Sequence, residues 1–325
     1  MEEIAVSVFC RAYNHEKYIR RCLDGFIMQK TNFKFEVLIN DDASTDHTAE
    51  IIKEYEERYP DIIRPVYQSE NQYSKGVKIT NAFLLPKARG KYVATCEGDD
   101  YWIDEKKLQK QYDFLETHPE YSACVHCARY HILDGRGNDR IVPFIQESKE
   151  YSIDEIIAAD GDGFATNSLF RRREVAESIP ECFSAKGFGD YQAFMYSAIC
   201  GKVYCMSDVM SVYNQGTEGS WIDRIWNNPQ KRIDHLHEKI RMLDAVDKHY
   251  NESFHKPLSE KINDIQYEIY ILEDNNLKLK EEPYASIHRK RLKQQKKSEF
   301  LTMLKTRMPW LVTLKRRIKK GNSRG

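Results

Sequence analysis

Gly90-Lys91-Tyr92-Val93-Ala94-Thr95-Cys96-Glu97-Gly98-Asp99-Asp100-Tyr101-Trp102 is a short apolar run that stops at three carboxylates within four residues. Val93, Ala94 and Cys96 suit a buried strand. A carboxylate cluster at its end cannot be buried without a cation or donors to offset desolvation and mutual repulsion. A divalent metal fits that need: Mg2+ or Mn2+ takes one or two carboxylates and completes an octahedron with phosphate oxygens and water. Taken alone, the turn reads equally well as a capping, solvated Asp-Asp turn.

Upstream, strands and helices alternate. Ile4 to Phe9 reads as a buried strand, followed by polar Arg11-Ala12-Tyr13-Asn14-His15 and a helix with Ile19, Cys22, Leu23, Phe26 and Ile27 on one stripe. Phe35 to Ile39 is a second strand ending in Asn40-Asp41-Asp42-Ala43-Ser44-Thr45-Asp46, where Ser, Thr and Asp offer N-cap chemistry for the next helix. Ile62 to Tyr67 is a third strand, with Pro65 marking an edge or strand end. A polar loop over Ser69 to Gly76 and a helix over Ile79 to Leu85 lead to the opening stretch, and a helix bearing Leu108, Tyr112 and Leu115 follows it. This alternation predicts an α/β fold with a mostly parallel central sheet flanked by helices, in which ligands bind beyond the carboxyl ends of the strands. Both acidic clusters fall there.

The rhythm downstream is less regular. Ala123 to Tyr130, Asn167 to Arg171 and Val203 to Met206 read as strands and Ile153 to Ala159 as a short helix. Asp190 opens a helix through Ala193, Phe194, Ser197 and Ala198, while Tyr213 to Ser220 reads as a binding loop or lid. From Pro229, stripes through Ile233, Leu236, Ile240 and Leu243 and through Leu258, Ile262, Ile265, Ile269 and Leu272 predict two antiparallel helices acting as a buttress.

The formal charge of zero hides an asymmetry. Ser286 to Gly325 carries 14 Lys plus Arg against one acid, Glu299, so the segment stands at +13 and the remainder at −13. Around Pro309, Leu301 and Leu304 and then Trp310, Leu311, Leu314 and Ile318 give the basic segment an interfacial pattern suited to an anionic membrane surface. The same charges would attract nucleic acid, but no nucleic-acid module is recognisable in the body. Acidic Met1-Glu2-Glu3 lacks secretory-signal character, and no apolar run reaches the roughly 18 to 20 residues of a spanning helix, so the expected location is cytoplasmic, peripheral on the inner face of the plasma membrane. Most of the eight cysteines lie in apolar segments and read as free buried thiols. Cys124-Val125-His126-Cys127 has zinc-like spacing but no matching second pair.

Val6-Ser7-Val8 through Tyr13-Asn14, Asn40 to Asp46, Gly90-Lys91-Tyr92 and Glu97-Gly98-Asp99-Asp100-Tyr101-Trp102, in that order, resemble family 2 glycosyltransferases of the GT-A fold over roughly residues 4 to 220. The resemblance implies a GT-A domain over 1–222 (1–120 nucleotide-binding, 121–222 acceptor half), beside a helical hairpin over 223–282 and a basic tail over 283–325. It also implies inverting, metal-dependent, one-sugar-at-a-time transfer from a nucleotide-diphosphate sugar, with uridine favoured, to a saccharide or lipid-linked acceptor in bacterial surface polysaccharide assembly. By the same resemblance Tyr13, Asp41, Asp42, Asn71, Asp99 and Asp100 would bind the nucleotide sugar. Asp99 and Asp100 would face Mg2+ or Mn2+, and Asp190 would be the catalytic base. Glu97 replaces a commoner aspartate, which leaves direct ligation, water-mediated contact and positioning open to it. Asn167, Arg171 and Trp221 are candidate acceptor-side groups. Two rival readings are a nucleotidyltransferase, which lacks its Gly-rich phosphate loop here, and a catalytically inactive glycan- or membrane-binding scaffold.

Overall fold

The computed structural model describes residues 3–307 except 134, 136, 218–224, 226 and 227, together with all of their side chains but those of 162 and 298–307. The chain divides into two compact units, Met1–Pro257 and Leu258–Gly325.

The first unit is built on a ten-stranded sheet. Its strands are β1 (Ile4–Ala12), β2 (Lys34–Asp41), β3 (Ile63–Tyr67), β4 (Tyr92–Thr95), β5 (Tyr101–Trp102), β6 (Tyr121–Ile132), β7 (Arg140–Val142), β8 (Lys149–Tyr151), β9 (Phe170–Arg172) and β10 (Lys202–Gln215). The order is β3-β2-β1-β4-β9-β6-β10-β5, with β7 on β6 and β8 on β10. Strands β3, β2, β1 and β4 run parallel, as do β6 and β10, while β5, β7, β8 and β9 pair antiparallel. The parallel run of four strands therefore falls within the first 95 residues, and the rest of the sheet is mixed.

Alternating side chains give the parallel strands two apolar faces. Val6, Val8, Val37, Ile39, Tyr92 and Ala94 pack with residues of α1 (Ile19–Ile27), α2 (Thr48–Arg58) and α3 (Lys107–Thr117), whose inward stripes include Ile19, Leu23, Phe26, Ile52, Leu108 and Leu115. Phe9, Leu38 and Val93 pack on the other face with Leu84 and with Ala176 of α5 (Arg173–Glu177), which follows α4 (Ile153–Ala159). The helix expected over Ile79 to Leu85 is a π turn, Thr80–Leu84, running into a 3₁₀ turn at Leu85–Lys87. Downstream come α6 (Gly189–Cys200) and α7 (Pro229–His249), and α8 (His255–Leu272) leads into the second unit, which also holds α9 (Tyr284–Arg307). Within that unit Tyr267 and His288 share a hydrogen bond of 2.8 Å, and Arg291 lies over the Tyr267 ring.

At the amino end of the parallel run, fully buried Glu36 accepts from Ser7 Oγ at 2.7 Å, Arg89 N–H at 2.9 Å, Arg89 Nε at 2.9 Å and Arg64. One carboxylate thus ties β1, β2, β3 and the approach to β4. Gly90 fits beneath it because a Cβ there would stand 2.5 Å from Ser7 N. Burial works to raise the Glu36 carboxyl, but bonds from Arg89, Ser7 and Arg64 outweigh it and hold the group below its ordinary value. A depressed acid stabilises the fold above its unfolded pKa and loses that contribution as pH falls through the folded one. Glu36→Gln is therefore expected to cost about 2–4 kcal/mol at pH 7, discounted for its half-exposed arginines, with the deficit shrinking below about pH 4. Urea unfolding of both proteins at several pH values measures it.

Candidate functional site

The last residues of β1 tie the two acidic turns together. Ala12 stands opposite Asp41 where β1 and β2 end, while β4 ends at Thr95 opposite Phe9, so the chain after β4 carries its acidic turn on toward the level of the other two ends. Asp42 N–H donates to Ala12 O, and Gly98 N–H donates to Arg11 O, each at 2.9 Å. Gly98 is closely packed: a Cβ there would approach His15 Nδ1 to 2.8 Å and Ile19 Cδ1 to 3.0 Å, so those side chains would have to shift.

On the β2 side, buried Asp41 accepts from Ser44 N–H at 3.2 Å and from the Ser44 hydroxyl. Burial raises its carboxyl against these bonds, with Asp46 and Asp42 adding to the rise. Asp42, also buried, accepts from Gln72 N–H at 2.8 Å and Tyr73 N–H at 3.0 Å and so closes the polar loop after β3. Asn71 lies in that loop, its side-chain oxygen accepting from Ser74 N–H at 2.7 Å. Tyr13 is 44 % exposed. Its neighbour Asn14 takes φ +56°, as asparagine tolerates, and accepts from Thr45 N–H at 2.8 Å. The structure thus joins the Tyr13 turn to the Asp41–Asp46 turn, and the Asn71 loop to Asp42.

The turn after β4 is anchored by Trp102, which donates to Asn167 O at 3.0 Å and meets Phe26 edge-on at 4.8 Å. Asp100 is 1 % exposed and accepts from Asn214 N–H at 2.8 Å through one oxygen, while Oδ2 has no partner among the described residues. Burial raises this carboxyl well above its ordinary value, and Asp99 pushes the same way. Asp99 accepts from Thr217 Oγ1 at 3.0 Å, and its carbonyl accepts from the Asn214 side chain. Both Glu97 oxygens accept from Arg11, one of them from Nε at 3.1 Å. Among the described residues no group of three or more His, Cys, Asp or Glu could hold a metal ion by itself. The adjacent Asp99 and Asp100, with one buried oxygen unsatisfied, have the donor chemistry of a hard cation that draws its other ligands from phosphate and water.

Asp190 opens α6 half-buried, accepting from Tyr191 N–H at 2.8 Å and Thr166 Oγ1 at 3.3 Å. Burial raises its carboxyl, opposed by Tyr191 N–H and then by Arg11. The phenol of Tyr213 on β10 is raised by burial first and then by Asp100, Tyr130, Asp190 and Asp99. Carboxylates from the turn after β4 and from α6 therefore both raise this phenol.

Some contributors escaped the sequence reading. Arg11 reads as loop polarity because its acid lies 86 positions away. Asn214 falls in a stretch expected to be loop, whereas β10 runs to Gln215 with register shifts near Met206 and Val209; apolar Val209, Met210 and Val212 signal that continuation. Of the candidate acceptor-side groups, Asn167 is buried in the turn Thr166–Ser168 and Arg171 is buried on β9. Asn167 donates to Val212 O at 2.8 Å and accepts from Ser211 Oγ at 2.7 Å, and Arg171 pairs on β9 with Val93 and Ala123. Trp221 lies outside the described residues.

The chain is 38% identical over 217 residues to an uncharacterized protein of Mycobacterium tuberculosis, covering 66% of this chain and 60% of that one, so it spans less than two thirds of its relative's length. Its fold is similar to that of Staphylococcus aureus TarS 1–349 in complex with UDP-GlcNAc (TM-score 0.55, 19% identity, 83% of this chain and 81% of the other). A second similar fold is the mannosyltransferase PcManGT of Pyrobaculum calidifontis with GDP-Man and Mn2+ (TM-score 0.52, 18% identity, 87% and 83%). The profile described as glycosyl transferase family 2 matches residues 7–178, more than half of the sequence and the whole run of strands that carries the acidic turns. The chain belongs to glycosyl transferase family 2.

Proposed function

We propose that the chain is an inverting glycosyltransferase that moves one sugar from a nucleoside-diphosphate sugar to an acceptor hydroxyl. The observation that carries this reading is buried Asp100, whose Oδ2 has no partner among the described residues, standing beside Asp99 just beyond the parallel strands. Asp41, with Tyr13 and the Asn71 loop, lines the nucleoside side. Asp99 and Asp100 would hold Mg2+ or Mn2+, and a metal bound there would supply charge neutralisation for a departing diphosphate. Glu97 is no ligand in this reading, because Arg11 occupies both of its oxygens. Asp190 takes the proton from the acceptor hydroxyl, and a carboxylate raised by burial is a better base than one at its ordinary value. Displacement from the face opposite the leaving diphosphate inverts the anomeric carbon.

UDP and GDP accompany the two similar folds, so the base remains a matter for a donor panel. Incubated with UDP- and GDP-linked sugars and Mn2+, the protein is expected to release free nucleoside diphosphate from one of them, with an inverted product by proton NMR. Pyrophosphate release would replace this reading with nucleotidyl transfer, and silence with every donor would favour a binding scaffold. Asp190→Asn should lower kcat by about 10²- to 10⁴-fold while donor affinity changes little. It should also abolish the acidic limb of the pH–rate profile, which lies above the usual carboxylate range because burial raises this group.

A lipid-linked acceptor in surface polysaccharide assembly accounts best for the basic segment after Pro283. Among the described residues no helix is long and apolar enough to cross a membrane. The part of α9 with described side chains carries His288, Arg289, Lys290, Arg291, Lys293, Lys296 and Lys297, while Trp310 and the apolar residues around it lie outside the described residues. At about 1 kcal/mol per cation near an anionic leaflet, this segment is expected to bind anionic liposomes in a salt-sensitive way. Truncation at Pro283 should abolish sedimentation with the vesicles, and tight duplex binding without liposome binding would reassign the segment to nucleic acid.

A further inference from the structure

The inward face of α3 carries two polar side chains among its leucines. Lys107 and Gln111, one turn apart, are as fully buried as Leu108 and Leu115 beside them. Lys107 Nζ donates to Gln111 Oε1 at 2.8 Å and stands 4.0 Å from the centre of the Trp102 ring. The other end of Gln111 forks, with Nε2 donating to Ser168 O and to Cys124 O at 3.0 Å each. Ser168 follows Asn167, whose carbonyl accepts from Trp102 Nε1 at 3.0 Å. Lysine, glutamine, the turn Thr166–Ser168 and tryptophan thus close a ring inside the core. Such a ring is a costly way to fill a core, since a buried ammonium loses its water, and burial lowers this one to about 7. What it adds is direction: a cation faces an aromatic ring and an amide forks onto two carbonyls, whereas apolar contacts are non-directional.

Both sides of the ring lead to the candidate site. Trp102 ends the stretch that begins with Asp99 and Asp100, and its strand β5 pairs with Ser211 and Val212 of β10. Two residues further on, β10 supplies the Asn214 N–H that donates to Asp100 at 2.8 Å. On the other side, Thr166 of the turn Thr166–Ser168 donates through Oγ1 to Asp190 at 3.3 Å. We propose that Lys107 and Gln111 are positioning residues: the ring they close holds the Asp99–Asp100 turn and Asp190 at a fixed separation. The catalytic consequence rests on the reading of Asp99 and Asp100 as the metal pair and of Asp190 as the base. A separation set in this way matters to the step in which donor and acceptor react and not to the binding of the donor alone, so its loss falls on kcat.

The test compares the full chain with Lys107→Met, which keeps most of the side chain's length and removes its charge and its donor. Relief of a buried charge offsets the acceptor left open on Gln111, so the urea midpoint should stay near that of the wild type. With the nucleotide sugar that the wild type uses, kcat should fall by about 10- to 10²-fold while donor KM changes little. In combination with Thr166→Val, the loss should be well short of the product of the two single losses, because both variants cut the same link. A folded Lys107→Met with wild-type kcat overturns the proposal. So does a lowered urea midpoint with kcat restored on cooling, which marks a purely structural lysine, and so do losses that multiply with Thr166→Val. Should Lys107→Met fail to fold, Trp102→Phe decides: it keeps an aromatic ring for the ammonium and removes the bond to Asn167, and an unchanged kcat is then the overturning result. A wild type that releases nucleoside diphosphate from no donor overturns the glycosyltransferase reading itself, and the positioning role falls with it.

Discussion

Strands β2 and β4 both run parallel to β1, and backbone hydrogen bonds from Asp42 to Ala12 and from Gly98 to Arg11 bring the acidic turns that follow them to its carboxyl end. Parallel pairing also fixes what each end can carry. The amino ends are locked by a single buried acid, Glu36, fully bonded to Ser7, Arg64 and Arg89, while the opposite ends keep acids that are only partly satisfied. Fully bonded and partly bonded acids are therefore separated by the length of a strand, and the unfavourable charge is confined to one end of the parallel run.

That unfavourable charge has three different settlements. Glu97 is neutralised by Arg11, Asp42 is consumed by two backbone N–H groups, and Asp100 is left with an oxygen unpaired. Burial raises Asp41, Asp100 and Asp190 alike, yet only Asp190 has Arg11 opposing the rise. Chemically similar side chains from distant parts of the chain thereby acquire different electrostatic surroundings.

Much of this was legible in the sequence where local chemistry and tertiary role agree. The apolar runs of β1, β2 and β4 and the stripe through Ile19, Leu23 and Phe26 are short-range patterns, and each is realised, with β1 running three residues past Phe9 to Ala12. Asp41, Asp42, Asp99 and Asp100 stand out because acid after an apolar run is costly wherever the chain goes next. The misses share a different cause. Arg11 gains its meaning from an acid far along the chain, β10 conceals its length behind register shifts, and Asn167 looks like a surface polar residue until its partners on β10 are known. No local period encodes such pairings.

Asp42 spends both oxygens on the backbone of the Gln72–Tyr73 loop. In the proposed reading, a nucleobase that sought this carboxylate would have to displace bonds the protein already makes to itself. Recognition would then be an exchange of partners and not a gain of one, leaving only the difference between the two sets of bonds to discriminate among nucleotides. Donor selectivity in such a site is set as much by how firmly the chain holds its own loop as by the shape of the base it admits.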